Sequence, residues 1–295
     1  MLIKKISLLA FNVQLTDYCS ANQTEKIMYS DNLFAASMQC LKQTDVSAKL
    51  AAVRDLKSGF DAGTLNINPD IDLPVISEAG HPAKPDLVPP RDVPKRKLGT
   101  DKGRAAAIHS FCHIEFNAIN LACDAVYRFR DMPHAYYADW IKVAFEEAYH
   151  FELLQKRLRE IGYEYGDFPA HNGLWELAQK TADDSLHRMA LIPRLMEARG
   201  LDVTPFIQRK FRNVGDIQTV EILDIILRDE IGHVEAGSRW FRYLCEQRGV
   251  EPESTYIELV MQYMKGDVQC PTHRQARLEA GFSEEELNRL QLLCQ

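Results

Sequence analysis

Two Glu-x-x-His pairs, Glu147/His150 and Glu230/His233, lie in long stretches of helical periodicity, and lone core-facing glutamates, Glu115 and Glu197, precede them by 32 and 33 residues. No other feature of the chain constrains its fold as tightly. Positions i and i+3 share one helix face, so a glutamate and a histidine at that spacing can reach the same ion, or two adjacent ions, from a single rigid element. One such pair arises by chance and is more often a surface ion pair or a satisfied core histidine. Two pairs with partner glutamates at matching distances predict more. Antiparallel helices joined by a short connection need about that separation to bring both residues to one level of a four-helix bundle.

All six residues fall on stripes otherwise occupied by apolar side chains. Ile108, Phe111, Cys112, Ala118, Ile119, Ala122, Val126 and Phe129 recur three and four apart around Glu115; Trp140, Val143, Ala144, Phe151, Leu154 and Leu158 do so around Glu147 and His150. Around Glu197 the stripe is Leu186, Ala190 and Pro193, and around Glu230 and His233 it is Val220, Leu223, Leu227, Val234, Gly237, Phe241 and Leu244. Unpaired charge at such positions costs on the order of several kcal/mol per group. Four carboxylates balance two divalent cations. The predicted ligand set is therefore Glu115, Glu147, His150, Glu197, Glu230 and His233, and mixed oxygen and imidazole ligation suits iron first and manganese next, with zinc compatible. Pro193 and Gly200 flank Glu197 and predict a kink and a stop, so Asp183 and Asp184 stand in reserve for that corner. His109, His113 and His187 are read as core or surface histidines, with His113 pointing roughly opposite to Glu115. Tyr127 and Tyr149 are read as packing residues, as is the run Trp240, Phe241 and Tyr243.

The chain of 295 residues is long enough for one large domain with embellishments. No apolar run approaches the roughly 20 residues that span a bilayer, which predicts a protein without membrane segments. Near the start, Lys4 and Lys5 precede a short apolar stretch, but Asn12 and Gln14 interrupt it and no small-x-small site follows, so residues 1–15 are expected to be folded structure. Seven cysteines without Cys-x-x-Cys spacing argue against a disulfide framework or zinc knuckle and point to a reducing cytoplasm. The net charge of -7 disfavours nucleic-acid binding over the whole surface, leaving Arg91, Lys95, Arg96 and Lys97 as the one basic cluster, read as a solvated linker.

Four regions follow: a helical amino-terminal module over residues 1–65, a proline-rich extended segment over 66–99, the bundle over 100–249, and short helices over 250–295. The bundle helices are expected from a Thr100/Asp101 cap to about Arg130, from about Ala135 to Ile161, from about Leu174 with a kink at Pro193, and from near Asp216 onward. A crossover is expected over Gly162 to Gly173, and Thr204/Pro205 predicts the start of a separate short helix. Beyond Gly249 two helices are expected, the last opened by a Ser283-x-x-Glu286 capping box. The class is all-α.

This arrangement resembles the ferritin-like superfamily of carboxylate-bridged di-metal proteins, in which the first and third helices each give a glutamate and the second and fourth give Glu-x-x-His. The strings "LVPPRDVP", "LACDAVYRFRDMP", "EEAYHFELL", "GYEYGDFPAHNGLW", "ALIPRLMEARGLDVTP" and "ILRDEIGHVEAGSRWFRYLCEQRG" resemble the ferritin-like domain-of-unknown-function family 455, over about Ser47 to Gly249. The resemblance implies a ferritin-like bundle with both pairs retained, and supplies no reaction. The leading expectation is an oxygen- or peroxide-dependent di-iron oxidoreductase acting on an unknown small-molecule or macromolecular substrate, as a monomer or small homo-oligomer. A metal-handling protein that oxidises iron or removes peroxide is a second class. A superfamily member that hydroxylates a tRNA nucleoside makes an RNA substrate a third reading, and a metal-stabilised interaction protein is a fourth.

Overall fold

A computed structural model of the chain describes residues 31–94, 97–264 and 269–294. Residues 1–15, expected to be folded structure, lie outside them, as do Lys95 and Arg96 of the basic cluster. The described residues form an all-α helical bundle with no strand.

The amino-terminal helices α1 (Leu33–Lys42) and α2 (Val46–Asp61) start on side-chain caps: Asn32 Oδ1 accepts from the amides of Phe34 and Ala35, and Asp45 accepts from that of Ala48. The side-chain nitrogen of Asn32 also reaches Asn66 and Asn68, tying α1 to the start of the proline-rich segment. That segment forms no helix beyond a short 3₁₀ turn, Pro90–Asp92. Prolines deny it a regular ladder, so its carbonyls are satisfied from outside. Arg130 donates to Ile71, Tyr127 to Pro74, Arg128 to Ile76 and Trp175 to Ser77. Tyr127 thus ties down the wrap and is 3% exposed, while Tyr149 lies on the surface.

The longest helices carry the site. Helix α3 (Asp101–Arg128) begins where Thr100 caps Gly103, and α4 (His134–Glu160) follows after a turn in which the Tyr137 hydroxyl donates to Arg130 O and accepts from Met132 N. Helices α3 and α4 pack along each other, and α4 packs in turn on α8 (Ile217–Arg248), which Asp216 caps through Thr219 N. Gly249, in the left-handed conformation at φ 63°, ends α8.

Between α4 and α8 the chain departs from the expected kinked helix followed by a separate short one. Helix α5 (Gly173–Lys180) is followed by α6 (Ser185–Leu191), by a π-helical segment Ile192–Glu197, and by α7 (Ala198–Asn213). Pro193, without an N–H, breaks the regular α ladder as expected, and the chain widens into a π turn rather than stopping. Gly200 neither stops nor breaks the helix, and Thr204/Pro205 opens no new one: α7 runs through both. Packing of Leu201 and Phe211, both fully buried, outweighs the local breakers.

Among the described residues three short helices, not two, follow Gly249: α9 (Pro252–Met264), α10 (Arg274–Glu279) and α11 (Glu284–Leu293). The Ser283/Glu286 capping box that opens α11 is present in both directions. Cys270 and Cys294 are disulfide-bonded, with Cα atoms 5.2 Å apart. This corrects the reading of the cysteines: spacing alone did not reveal a pair 24 residues apart that the last helices bring together. Buried apolar side chains from Leu33 to Leu290 form one continuous cluster. Among the described residues no helix is long and apolar enough to cross a membrane.

Candidate metal centre

Glu115 on α3, Glu147 and His150 on α4, and Glu230 on α8 turn inward at one level, and ligand atoms of all four lie within 4.8 Å of one another. His233, one turn beyond Glu230, completes the group. Its Nδ1 lies 3.0 Å from Glu147 Oε1 and 3.7 Å from Glu230 Oε2. His150 mirrors it, with Nδ1 3.4 Å from Glu147 Oε2 and 3.3 Å from Glu115 Oε2. Glu147 therefore stands between two imidazoles whose ring centres are 5.8 Å apart. Glu197, the last residue of the π segment, is not among the four whose ligand atoms meet within 4.8 Å, and Glu230 and Glu147 are the charges it feels most strongly.

The inward atoms are dry and unmatched. Glu115 Oε2, both oxygens of Glu147, His150 Nδ1, Glu197 Oε2, Glu230 Oε2 and His233 Nδ1 are buried without a hydrogen-bond partner. Each of the six residues contributes at least one. Buried polar atoms are nearly always paired in folded proteins, so such a concentration of unpaired atoms could hold a metal ion. The donor set of carboxylate oxygens and imidazole nitrogens fits a metal ion such as iron or manganese.

The outer nitrogens, by contrast, are satisfied. His150 Nε2 lies 3.1 Å from Asp229 Oδ2 and His233 Nε2 lies 3.0 Å from Glu146 Oε2. Each histidine of one helix is thus held by a carboxylate of the other, and an Nε2–H donated outward leaves the Nδ1 lone pair facing the centre. Neither Glu146 nor Asp229 was singled out from the sequence. The signal was present, because an acidic residue stands directly before the glutamate of each pair, in Glu146-Glu147 and Asp229-Glu230.

Electrostatics show what burying these charges together costs. Burial, reinforced by the charge of Glu147, pushes the carboxyls of Glu115 and Glu230 up, and burial with the charges of Glu230 and Glu147 does the same to Glu197. Burial works against ionised Glu147 as well, but the imidazoles of His233 and His150 outweigh it and hold that carboxyl well below its usual range. Burial likewise opposes charge on His150, yet Glu115 and Glu147 raise it to about 11, and His233 rises for the same reason beside Glu147.

The reserve residues lie elsewhere. Asp184 caps α6 through the amides of Leu186 and His187 and pairs with Arg248, so its carboxylate is committed. His113 is buried against Tyr165 and His171, its Nδ1 2.9 Å from the Tyr165 hydroxyl, and burial lowers it to about 4. His109 Nε2 accepts from the Gly166 amide, and His187 contacts Tyr263.

No solved structure matches the sequence. A Haemophilus influenzae protein described as uncharacterized is 48% identical over 223 residues, covering 73% of this chain and 77% of that protein. The family model described as "Protein of unknown function (DUF455)" matches residues 42–288, and the chain belongs to that family.

Proposed function

We propose that the buried Glu/His cluster is a ferritin-like two-metal centre, loaded with iron, and that the protein uses it as an oxygen- or peroxide-dependent oxidoreductase. The observation that carries this reading is the convergence of unpartnered buried atoms from Glu115, Glu147, His150, Glu197, Glu230 and His233. Glu147, which lies between the two imidazoles, would hold both ions. Glu115 and His150 would hold one, Glu197 and His233 the other, and Glu230 would close the group. Two bound iron ions would supply the capacity to accept electrons and activate oxygen or peroxide.

The chain's own part is positioning, proton storage and exclusion of water. Asp229 and Glu146 fix both imidazoles with Nδ1 inward. Loading requires the protons on the inward imidazole nitrogens and on Glu115, Glu197 and Glu230 to leave as the ions enter. On the same helix faces Ile119, Ala144, Phe151 and Ile226 are buried, which keeps bulk water from the inward atoms.

Elemental analysis of protein from its native host tests the reading. About two iron ions per chain are expected, and Glu147→Ala with His150→Ala should reduce retained metal at least a hundredfold. One zinc ion per chain, or none, would sink it. Oxygen or peroxide consumption by the iron-loaded chain then separates redox chemistry from a purely structural metal.

A further inference from the structure

Glu197 is the one member of the centre that regular helix geometry does not place. It ends the π segment Ile192–Glu197, in which Pro193 lacks a backbone donor, and the charges of Glu230 and Glu147 bear on it. Something else must hold it. Three residues before it, Arg194 is fully buried and points away into the carboxy-terminal helices. Its guanidinium lies 4.7, 4.4 and 4.6 Å from the ring centres of Phe241, Tyr256 and Phe282, donates to Glu286 Oε1 at 2.7 Å and reaches Ser238 at 3.1 Å. The Tyr256 hydroxyl returns a hydrogen bond to the Arg194 carbonyl at 3.0 Å. Five residues after Glu197, Asp202 accepts from Arg277 at 2.6 Å and from the amides of Thr272 and His273 at 2.9 Å. The π turn is also fitted to α8: a Cβ on Gly237 would lie 2.4 Å from the Cβ and Cγ of Pro193.

We propose that α9 to α11 act as a clamp for the metal centre, gripping the chain on both sides of Glu197 through Arg194 and Asp202 and thereby holding the fourth carboxylate at the second metal position. The proposal rests on the two-metal reading. Glu286, Tyr256, Arg277 and Gly237 are positioning residues in it, none of which touches the ions. A buried cation in an aromatic box with one charged partner is directional and costly to break, which suits it to fixing a segment that its own backbone leaves soft. The grip of Asp202 limits the other end. Helix α7 then cannot slide to relieve the repulsion between Glu197 and Glu230.

The test counts ions on the full-length chain, titrated anaerobically with Fe(II) and separately with Co(II), whose visible absorption reports each site as it fills. In Glu286→Gln and in Gly237→Ala the second ion should bind at least tenfold more weakly, while the first, held by Glu115, Glu147 and His150, binds within about twofold of the parent. Glu285→Gln, which alters only the exposed pair with Arg289 on the same helix, should change neither. A general loss of stability would weaken both ions together, so the split between them is the diagnostic. Two ions bound with parental affinity in both clamp variants would overturn the proposal and leave the metal centre standing. A parent chain that binds no second ion overturns the two-metal reading and the clamp with it. Should either variant fail to fold, Tyr256→Phe removes only the hydrogen bond to the Arg194 carbonyl and decides by the same split.

Discussion

Helix α3 buries two acidic residues nine positions apart, about 14 Å along the axis and half a turn around it, and they have opposite fates. Asp124 is fully buried and fully partnered. Arg128 donates to both of its oxygens at 3.0 Å, and Arg188, itself buried and bonded to Thr181 and the Ala178 carbonyl, closes the other side. Glu115 is 4% exposed, has an oxygen with no hydrogen-bond partner, and faces the carboxylate of Glu147 and the imidazole of His150. One cluster is complete as protein; the other could hold a metal ion. Burial of charge alone therefore says nothing about function, whereas the state of the inward atoms separates a structural ion cluster from a ligand site.

The largest effect should come from breaking that contrast at Asp124. Asp124→Ala strands two guanidiniums, one of them deep in the core, and should destabilise the chain by about 3–5 kcal/mol, the range for removing one partner of a buried ion pair. Ion content per folded chain should stay at two. Glu115→Gln, on the same helix, should leave the metal-free chain as stable as the parent or slightly more so, because it removes a group that burial and Glu147 already keep from ionising. Chemical denaturation of both chelator-treated variants checks the pair. Equal losses from the two substitutions would refute the distinction.

The same contrast explains what could be read from sequence. Periodicity placed Glu115, Glu147, His150, Glu230 and His233 on buried stripes because α3, α4 and α8 are regular, so spacing translates directly into facing. It failed where geometry is irregular. Pro193 and Gly200 predicted a break, but the π segment and the continuation into α7 depend on contacts with Gly237 and on Arg194 buried against residues as distant as Phe282 and Glu286, which no local rule encodes. The Cys270–Cys294 pair escaped notice for the same reason. Glu146 and Asp229 were readable as acidic neighbours of each motif glutamate, yet helical spacing alone points them partly outward, and only the cross-helix pairing with the opposite histidine gives them a role.

The pH dependence of the metal-free chain sharpens the comparison further. Glu115, Glu197 and Glu230 hold their protons above the ordinary 4.5, and His150, at about 11, and His233 hold theirs above the ordinary 6.5. Each binds its proton more tightly folded than unfolded. Their stabilisation is therefore fully present below the unfolded values and is lost as pH rises toward the folded ones, so the chelated protein should lose stability between pH 5 and pH 8. Glu147 runs the other way, but its depressed value acts only below the ordinary 4.5 and outside this window. Cations replace these protons, so the thermal shift on adding iron should grow over the same range. A metal-free melting temperature that stays flat or rises from pH 5 to pH 8 would contradict the proton-holding picture.

The smallest effect tests whether the outer carboxylates belong to the centre or merely to the surface. Glu146 and Asp229 are a quarter and under a fifth exposed, and each has a second, exposed partner, Lys142 and Arg228. Solvent and those partners weaken their hold on the imidazoles, which places Glu146→Gln and Asp229→Asn at the low end of the range for groups that orient a metal-binding histidine. About a tenfold loss of ion affinity is expected for each, equivalent to about 1.4 kcal/mol, with little change in the stability of the metal-free fold. The pairing is crossed, so the losses should be separable. Glu146→Gln frees His233 and should weaken the ion shared with Glu197, whereas Asp229→Asn frees His150 and should weaken the ion shared with Glu115. Stepwise Co(II) titration reads the two sites apart, and identical losses at both sites from either substitution would mean that the two carboxylates act through surface charge rather than through the imidazole each one holds.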